Sequence, residues 1–222
     1  MPSRREEGKI DYCMMNDLPA LVWAANLADL ELHTFLHRAP AITRPTALAL
    51  DLDPGAPADI VLCCQVALWL RTIFDALELE SFPKTSGSKG LQIFVALNVA
   101  TTYEKTKAFA LALAERLERE HPNHVVSGMQ KGLRKGKVLI DWSQNDEHKT
   151  TVNVYSLRAK ATPSVSMPVR WSEVASVAKK GGADRMVFDT EMALKRVKKY
   201  GDLFAPLLTL KQRLPSLLAI AG

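Results

Sequence analysis

The stretch TALALDLDPG, residues 46–55, decides the fold and points to a candidate site. Its apolar residues favour a β-strand, and Pro54-Gly55 predicts the turn that ends it. Because successive side chains of a strand point to opposite faces, Asp51 and Asp53 share one face at the end of the strand. Neighbouring carboxylates repel each other unless a cation lies between them, and such oxygen ligands suit Mg²⁺ or Mn²⁺. The alternative interpretation is two solvated acids that cap a loop.

The segments around this strand predict a mixture of strands and helices. Helices are predicted over about 17–30, 58–79 and 103–120, and from near Trp171, Asp189 and Pro206. Strands are predicted in SFPKT, LQIFVAL, HVVS, VLID and TTVNVYSLRA. This order predicts the α+β class, with a mixed, mainly antiparallel sheet flanked by helices. We expect one domain over residues 1–222, with residues 178–222 as its C-terminal helical extension.

The composition is that of a soluble globular protein: 47% of the 222 residues are hydrophobic and 24% are charged. Lys and Arg exceed Asp and Glu, 29 against 24, which permits a nucleic-acid partner without requiring one. The longest apolar stretch, residues 60–70, is too short for a membrane span, and the N-terminus lacks the apolar segment of a signal peptide. We therefore expect no membrane partner. Because the three cysteines show no metal-ligand spacing, we expect reduced thiols in a cytoplasmic protein.

A third acid, Asp141, follows the apolar run Val138-Leu139-Ile140 on another predicted strand. If the two strands are neighbours, three carboxylates converge. Such a set could hold two divalent ions about 4 Å apart, the arrangement used for phosphoryl and nucleotidyl transfer. The alternative for Asp141 is an exposed strand residue.

Two further segments have the residues that anions require. The run KTSGSKG, residues 84–90, combines small residues, hydroxyls and lysines, but it lacks the spacing of a Walker A motif and precedes a predicted strand. Basic residues also cluster before and after Asp141: Lys131, Arg134, Lys135, Lys137 and Arg158. Phosphates attract such clusters. The alternative for residues 84–90 is a flexible hairpin loop, and the alternative for the basic cluster is a solvated charged loop.

His33 and His37 are four residues apart and would share a face if the segment were helical. That spacing is compatible with zinc, but no Cys or acid is placed to complete the ligand set. The sequence therefore does not favour a zinc site.

Six blocks, in this order, resemble one known family: NDLPALVWAANLADLELH, ALDLDPG, FPKTSGSKGLQIFV, GKVLIDWSQN, TTVNVYSLRA and VSMPVRW. Together they resemble the polymerase/primase domain of bacterial ATP-dependent DNA ligase D, of the archaeo-eukaryotic primase superfamily, over roughly residues 10–177. The resemblance implies an RRM-like catalytic core. It also implies a metal-dependent nucleotidyltransferase that adds ribonucleotides or deoxynucleotides to DNA 3′ ends in non-homologous end joining.

The resemblance also implies roles for individual residues. Asp51, Asp53 and Asp141 match the family's catalytic, metal-binding acids, and the metal is Mn²⁺ or Mg²⁺. Nucleotide-binding positions of the family match His33, Ser86, Lys89, Arg134, Gln144 and Arg158. We expect Lys131 and Lys135, in the basic loop, to bind DNA. The implied partners are DNA ends or gaps, nucleoside triphosphates, Ku and a separate DNA ligase, in the bacterial cytoplasm at the nucleoid.

This sequence departs from the family in two places. Only nine residues precede Ile10, where relatives have a longer region that serves DNA binding, and Gln92 stands where many relatives have histidine. The alternative function is therefore a nucleotide- or DNA-binding module without turnover. A phosphatase of the D-x-D type is disfavoured, because Pro54-Gly55 follows the second acid where such enzymes need other residues.

Overall fold

The computed structural model describes residues 12–220, within which there are five α-helices and nine β-strands. The helices are α1 Leu18–Asn26, α2 Ile60–Ala76, α3 Tyr103–Glu120, α4 Trp171–Lys180 and α5 Thr190–Tyr200. The strands are β1 His33–Thr34, β2 Ala47–Pro54, β3 Ser81–Thr85, β4 Leu91–Ala96, β5 Val125–Val126, β6 Val138–Asp141, β7 Thr151–Val152, β8 Leu157–Arg158 and β9 Ser164–Val165. This α+β architecture confirms the predicted fold class.

The described residues fall into two units that divide after Leu30. The first contains α1, whose N-terminus is capped by Asp17: its Oδ1 accepts a hydrogen bond from the Ala20 amide at 2.9 Å, and Pro19 lies in the first turn. The helix ends at Asn26, earlier than the prediction of about residue 30. The second unit, from Glu31 onward, contains β1–β9 and α2–α5.

Strand β2 lies at the centre of a five-stranded sheet of order β3-β4-β2-β6-β5. It pairs antiparallel with β4 on one side and with β6 on the other, and only β5 runs parallel to its neighbour β6. The mainly antiparallel sheet that the sequence predicts is therefore present, with the acid-bearing strand in the middle.

Helices α2 and α3 cover one face of this sheet. Leu48, Leu50 and Leu52 alternate onto that face of β2 and are fully buried with Phe74 of α2 and Phe109 of α3. Burial of side chains this large contributes about 1.5–3 kcal/mol each. Because Asp51 and Asp53 alternate with these leucines, their side chains point to the opposite face.

Helices α2 and α3 have clear local start signals. The Asp59 carboxylate accepts a hydrogen bond from the Val61 amide at 2.9 Å, and the Thr102 hydroxyl accepts one from the Lys105 amide at 3.4 Å. Helix α3 has the predicted bounds, whereas α2 begins and ends two to three residues inside the predicted 58–79.

The prediction of one strand over TTVNVYSLRA is wrong. Only β7 and β8 are extended and paired: β7 pairs with β1, and β8 with β9. Between them the backbone turns at Tyr155, whose φ is +63°. The alternating valines were therefore insufficient to predict a continuous strand.

The prediction of a helix from Pro206 is also wrong. The segment forms two short 3₁₀ turns, Ala205–Leu208 and Leu217–Ala219. The Asn98 side-chain amide donates to the Leu207 and Leu210 carbonyls, at 3.0 and 2.8 Å, and so binds oxygens that a continuing helix would use.

None of the described helices has the length and apolar character needed to cross a membrane.

Asn145 joins the turn after β6 to the centre of the sheet. Its side chain is fully buried, accepts a hydrogen bond from the Ala49 amide at 3.1 Å, and donates to the Ala49 and Trp142 carbonyls at 2.7 and 2.9 Å. This one side chain satisfies both polar groups of a β2 residue and holds the turn that follows Asp141.

We expect Asn145→Ala to lower the free energy of unfolding by about 2–4 kcal/mol, because it leaves buried backbone groups of Ala49 without a partner. The exposed Asn123 provides the control, and Asn123→Ala should change stability by less than about 0.5 kcal/mol. Urea unfolding of both variants measures the difference. Equal stability of the two variants would contradict this role of Asn145.

Candidate active site

Four polar side chains form a row across the face of the sheet that lies opposite to α2 and α3. The strand register places Lys84 beside Gln92, Gln92 beside Asp51, and Asp51 beside Asp141. Residues directly opposite on neighbouring strands share a face, with Cβ atoms about 5 Å apart. The row therefore contains two of the three predicted acids as direct neighbours.

Asp51 has an unfavourable position for a charge. Burial, and secondly the charge of Asp141, raise its pKa to about 6. Asp141 is held in place: its Oδ1 accepts from the Ser143 amide at 2.9 Å and from the Ser143 hydroxyl at 2.5 Å, and its Oδ2 accepts from the Gln144 amide at 3.0 Å. The pair therefore consists of one fixed carboxylate and one that resists ionisation.

The third acid, Asp53, is engaged by cations of the protein. Lys89 Nζ lies 3.0 Å from its Oδ1, and an Arg134 guanidinium nitrogen lies 3.5 Å from its Oδ2. Within residues 12–220, no three His, Cys, Asp or Glu side chains are grouped tightly enough to hold a metal ion. The structure thus places Asp51 and Asp141 side by side and holds the third acid, Asp53, in ion pairs with Lys89 and Arg134.

The donor set nevertheless fits a hard divalent cation. Adjacent carboxylates at a partly exposed position are oxygen ligands of the kind that Mg²⁺ and Mn²⁺ take. Gln92 adds a buried side-chain oxygen, Oε1, that lacks a hydrogen-bond partner, while its Nε2 donates to the Thr151 hydroxyl at 3.1 Å. For Asp53 to join the set, the Lys89 ammonium must leave its carboxylate.

A cavity of about 310 Å³ opens above this row. Seven of the predicted site residues line it: His33, Asp51, Asp53, Ser86, Lys89, Gln144 and Arg158. Arg134 does not line the cavity but lies 3.5 Å from Asp53, which does. Asp141 does not line it either, but it is directly opposite Asp51 on the neighbouring strand. Lys131 and Lys135 are exposed on the same basic turn as Arg134 but do not line the cavity, so DNA binding by these lysines stays a prediction.

The loop over residues 86–90 forms the turn between β3 and β4 at the wall of the cavity. The Ser86 hydroxyl accepts hydrogen bonds from the amides of Ser88 and Gly90, both at 3.2 Å, so its proton stays available to a ligand. Gly87 has a φ of +67° and packs so closely on Arg158 that a Cβ would lie 2.7 Å from its Cγ. Arg158 in turn donates to the Ser86 carbonyl at 3.3 Å.

The turn with Arg134 packs equally closely on the end of β2. A Cβ on Gly55 would lie 1.9 Å from the Arg134 carbonyl oxygen, so only glycine permits this approach. The Pro54-Gly55 turn therefore both ends the strand and places Arg134 beside Asp53.

The structure corrects the predicted placement of Lys84. Lys84 does not belong to the exposed anion loop: it is buried in β3, and its Nζ donates to the Val152 carbonyl at 3.0 Å and to the Ser166 hydroxyl at 2.6 Å. Burial lowers the Lys84 pKa to about 7, against the opposing effect of Asp51. The period of two along SFPKT was the only signal that could have placed Lys84 inward.

His33 and His37 do not share a helical face, because His33 lies in β1 and no helix is present there. His33 lines the cavity, whereas His37 bonds to the Tyr103 hydroxyl at 2.8 Å and stacks on Phe35. The structure therefore does not bring the two histidines together as zinc ligands.

Comparison with known proteins gives the family. The model of the LigD primase-polymerase domain matches residues 1–204. The chain belongs to the LigD primase-polymerase domain family. The match extends beyond the residues 10–177 that carry the sequence resemblance, and it confirms that resemblance.

Relatives in several bacteria share this domain. The multifunctional non-homologous end joining protein LigD of Mycolicibacterium smegmatis is 37% identical over 208 residues, covering 91% of this chain and 26% of the relative. The bifunctional LigD of Bacillus subtilis is 30% identical over 196 residues, covering 88% and 31%. The chain thus spans about a quarter to a third of the length of these relatives.

The fold also resembles a solved LigD structure. The polymerase domain of Mycobacterium tuberculosis ligase D, in complex with DNA, superposes with a TM-score of 0.77 at 34% identity. The similarity covers 87% of this chain and 68% of the other. The fold of this chain is therefore that of a LigD polymerase domain.

We expect Asp51→Asn to raise the free energy of unfolding at neutral pH by about 2 kcal/mol. The Asp51 pKa is about 6 in the folded domain, against an ordinary 3.8, so between these values the folded state binds more protons than the unfolded state. Wild-type stability therefore falls as pH rises from about 4 to about 6, and the variant avoids this loss.

Urea unfolding at about pH 4, 5 and 7 measures the effect, and the advantage of the variant should disappear at the lowest of these values. Asp75→Asn, at a side chain that is 63% exposed, provides the control and should show no such trend. An advantage that grows toward low pH would show that Asp51 is stabilised in its charged form, contrary to the expectation.

Proposed function

We propose that this domain is a nucleotidyltransferase that uses Mn²⁺ or Mg²⁺ to add ribonucleotides or deoxynucleotides to DNA 3′ ends in non-homologous end joining. The observation that carries the proposal is that one cavity is lined both by two of the three acids, Asp51 and Asp53, and by Ser86, Lys89 and Arg158, whose groups suit an anion. Acids beside phosphate-binding groups are unfavourable for a module that only binds phosphate, whereas nucleotidyl transfer through divalent cations requires them.

The buried polar atoms around the cavity support ligand binding there. Among the described residues, four buried side-chain nitrogen or oxygen atoms lack a hydrogen-bond partner, and three belong to this site: Gln92 Oε1, Arg134 Nε and Arg158 Nε. Gln92 and Arg158 line the cavity, and Arg158 Nε lies 3.3 Å from a Glu31 oxygen without hydrogen-bond alignment. Unsatisfied buried groups cost about 1–3 kcal/mol each, so these two side chains favour a polar occupant of the cavity.

In this proposal, Asp51, Asp53 and Asp141 hold the divalent cation or cations. The bound metal would activate the primer hydroxyl and neutralise charge on the phosphates. Ser86, Lys89, Arg158 and His33 would bind the triphosphate, and Arg134 and Gln144 would lie near the nucleotide and the primer end. Lys89 has two tasks: it neutralises Asp53 in the absence of a cation and becomes available for phosphate once Asp53 binds one.

The proposal extends to the partners of the domain. The names of the relatives describe multifunctional or bifunctional end-joining proteins, and one solved relative is bound to DNA. We therefore propose DNA ends or gaps and nucleoside triphosphates as substrates, with Lys131 and Lys135 on the DNA. Ku and a separate DNA ligase are the proposed protein partners, and the bacterial cytoplasm, at the nucleoid, is the proposed location.

Primer extension on a gapped, 5′-phosphorylated duplex, with Mn²⁺ and each nucleoside triphosphate, tests the proposal. We expect extension by the wild type and a loss of roughly a thousandfold in the double variant Asp51→Asn/Asp53→Asn, since metal binding supplies several kcal/mol of transition-state stabilisation. Chelation of the metal should abolish extension in the wild type.

The double variant Asp75→Asn/Asp184→Asn, at exposed positions, makes the same chemical change away from the cavity and should extend primers normally. Nucleotide binding without extension by the wild type would favour the alternative function, a binding module without turnover. Extension that survives in the Asp51/Asp53 variant would place the chemistry elsewhere.

A further inference from the structure

An acidic side chain lies among the cations of the proposed triphosphate site. Glu31 Oε1 is 3.1 Å from His33 Nε2 and 3.3 Å from Arg158 Nε. Its other oxygen, Oε2, accepts a hydrogen bond at 2.7 Å from the Ala159 amide, directly after Arg158 in the chain. One carboxylate oxygen is thus anchored to the backbone, and the other faces two cation-forming side chains.

An acid at this place is unfavourable for phosphate binding taken by itself. Glu31 is 29% exposed, and the Ala159 amide, followed by His33, lowers its pKa, so the carboxylate is charged. A negative charge one side chain away from a triphosphate repels it. Glu31 therefore favours triphosphate binding only if its effect on its two neighbours outweighs that repulsion.

The contacts of Arg158 indicate what Glu31 does. The guanidinium Nε faces Glu31 at ion-pair distance without the alignment of a hydrogen bond, and NH1 donates to the Ser86 carbonyl of the anion-binding loop at 3.3 Å. Two contacts at different points of a planar group define its orientation. The side chain, only 22% exposed, is therefore oriented toward the cavity that it lines.

The backbone supports the same arrangement. The Leu32 amide donates to the Ser156 hydroxyl at 2.8 Å, and the Asn153 amide donates to the Leu32 carbonyl at 2.9 Å. Backbone hydrogen bonds thus connect residues 31–33 to residues 153–159, which are far apart in the chain, and Glu31 adds side-chain contacts between the same two segments.

We propose that Glu31 is a positioning residue that orients His33 and Arg158 for the triphosphate of the nucleotide substrate. This inference rests on the proposed function. Long side chains lose rotamer entropy when a ligand fixes them, and a partner that fixes them beforehand removes that cost from binding. Glu31 itself does not touch the substrate.

Calorimetric binding of ATP and of inorganic tripolyphosphate to the full chain tests the role without requiring turnover. We expect Glu31→Ala to weaken the binding of both ligands about tenfold, the loss that follows from about 1.4 kcal/mol of lost preorganisation. Glu31→Gln retains an acceptor for the Ala159 amide but lacks the charge, so its affinity should lie between those of Glu31→Ala and the wild type. Glu191→Gln, at a side chain that is 76% exposed, is the matched control and should bind like the wild type.

Steady-state primer extension provides a second test, because a purely structural role of Glu31 would not change the KM for the nucleotide alone. The KM for the nucleotide should rise about tenfold in Glu31→Ala, while the KM for the primer and the thermal unfolding temperature stay unchanged. If Glu31→Ala does not fold, the nearly isosteric Glu31→Gln carries the test alone, with weaker binding at unchanged unfolding temperature as the expected result.

Two results would overturn the inference. Wild-type affinity in both Glu31 variants would show that the carboxylate orients nothing, and tighter binding would show that Glu31 competes with the phosphates. A wild type that binds neither ATP nor tripolyphosphate would overturn the proposed function, and the inference with it. Normal triphosphate binding without primer extension would contradict only the proposed activity, and the comparison of the Glu31 variants would remain decisive.

Discussion

The contact between Asp51 and Asp141 across the β2–β6 ladder is the constraint on which the rest of the site depends. Like charges on directly opposite strand residues destabilise a sheet, and after burial the charge of Asp141 is the second cause that raises the Asp51 pKa. The register leaves no freedom to avoid this, since a shift by one residue would move Leu50 and Leu52 out of the core. The core therefore enforces the carboxylate pair.

The surrounding groups moderate this repulsion without removing it. Lys84, at the other end of the row, is a buried ammonium with two hydrogen-bond acceptors, and its charge favours the ionised form of Asp51. Asp141 is stabilised by Ser143 and Gln144, from a turn that Asn145 fastens to β2. Burial still raises the Asp51 pKa, so the folded domain retains an electrostatic strain that a divalent cation would relieve.

Local signals in the sequence predicted much of the fold. Helix α3 has its predicted bounds, with Thr102 as its N-cap and His121-Pro122 directly after its last residue. The strand that contains Asp51 and Asp53 was predicted from its apolar residues and its Pro-Gly end. Features that depend on pairing between distant segments were missed: the two-residue ladders β1–β7 and β8–β9, the inward position of Lys84, and the role of Glu31. The helix that was wrongly predicted from Pro206 has the same cause. The Asn98 side chain, which donates to the Leu207 and Leu210 carbonyls, is remote in sequence from them.

The cavity and its immediate surroundings hold balanced charge before any ligand binds. The acids Asp51, Asp53, Asp141 and Glu31 stand against the bases Lys84, Lys89, Arg134 and Arg158, and several of them already form ion pairs with each other. A free triphosphate would upset this balance, and so would a free divalent cation. A triphosphate accompanied by divalent cations is nearly neutral and would leave the balance unchanged, while its two parts engage the bases and the acids separately. The charge arrangement therefore supports the joint binding of nucleotide and metal that we propose, over the binding of either alone.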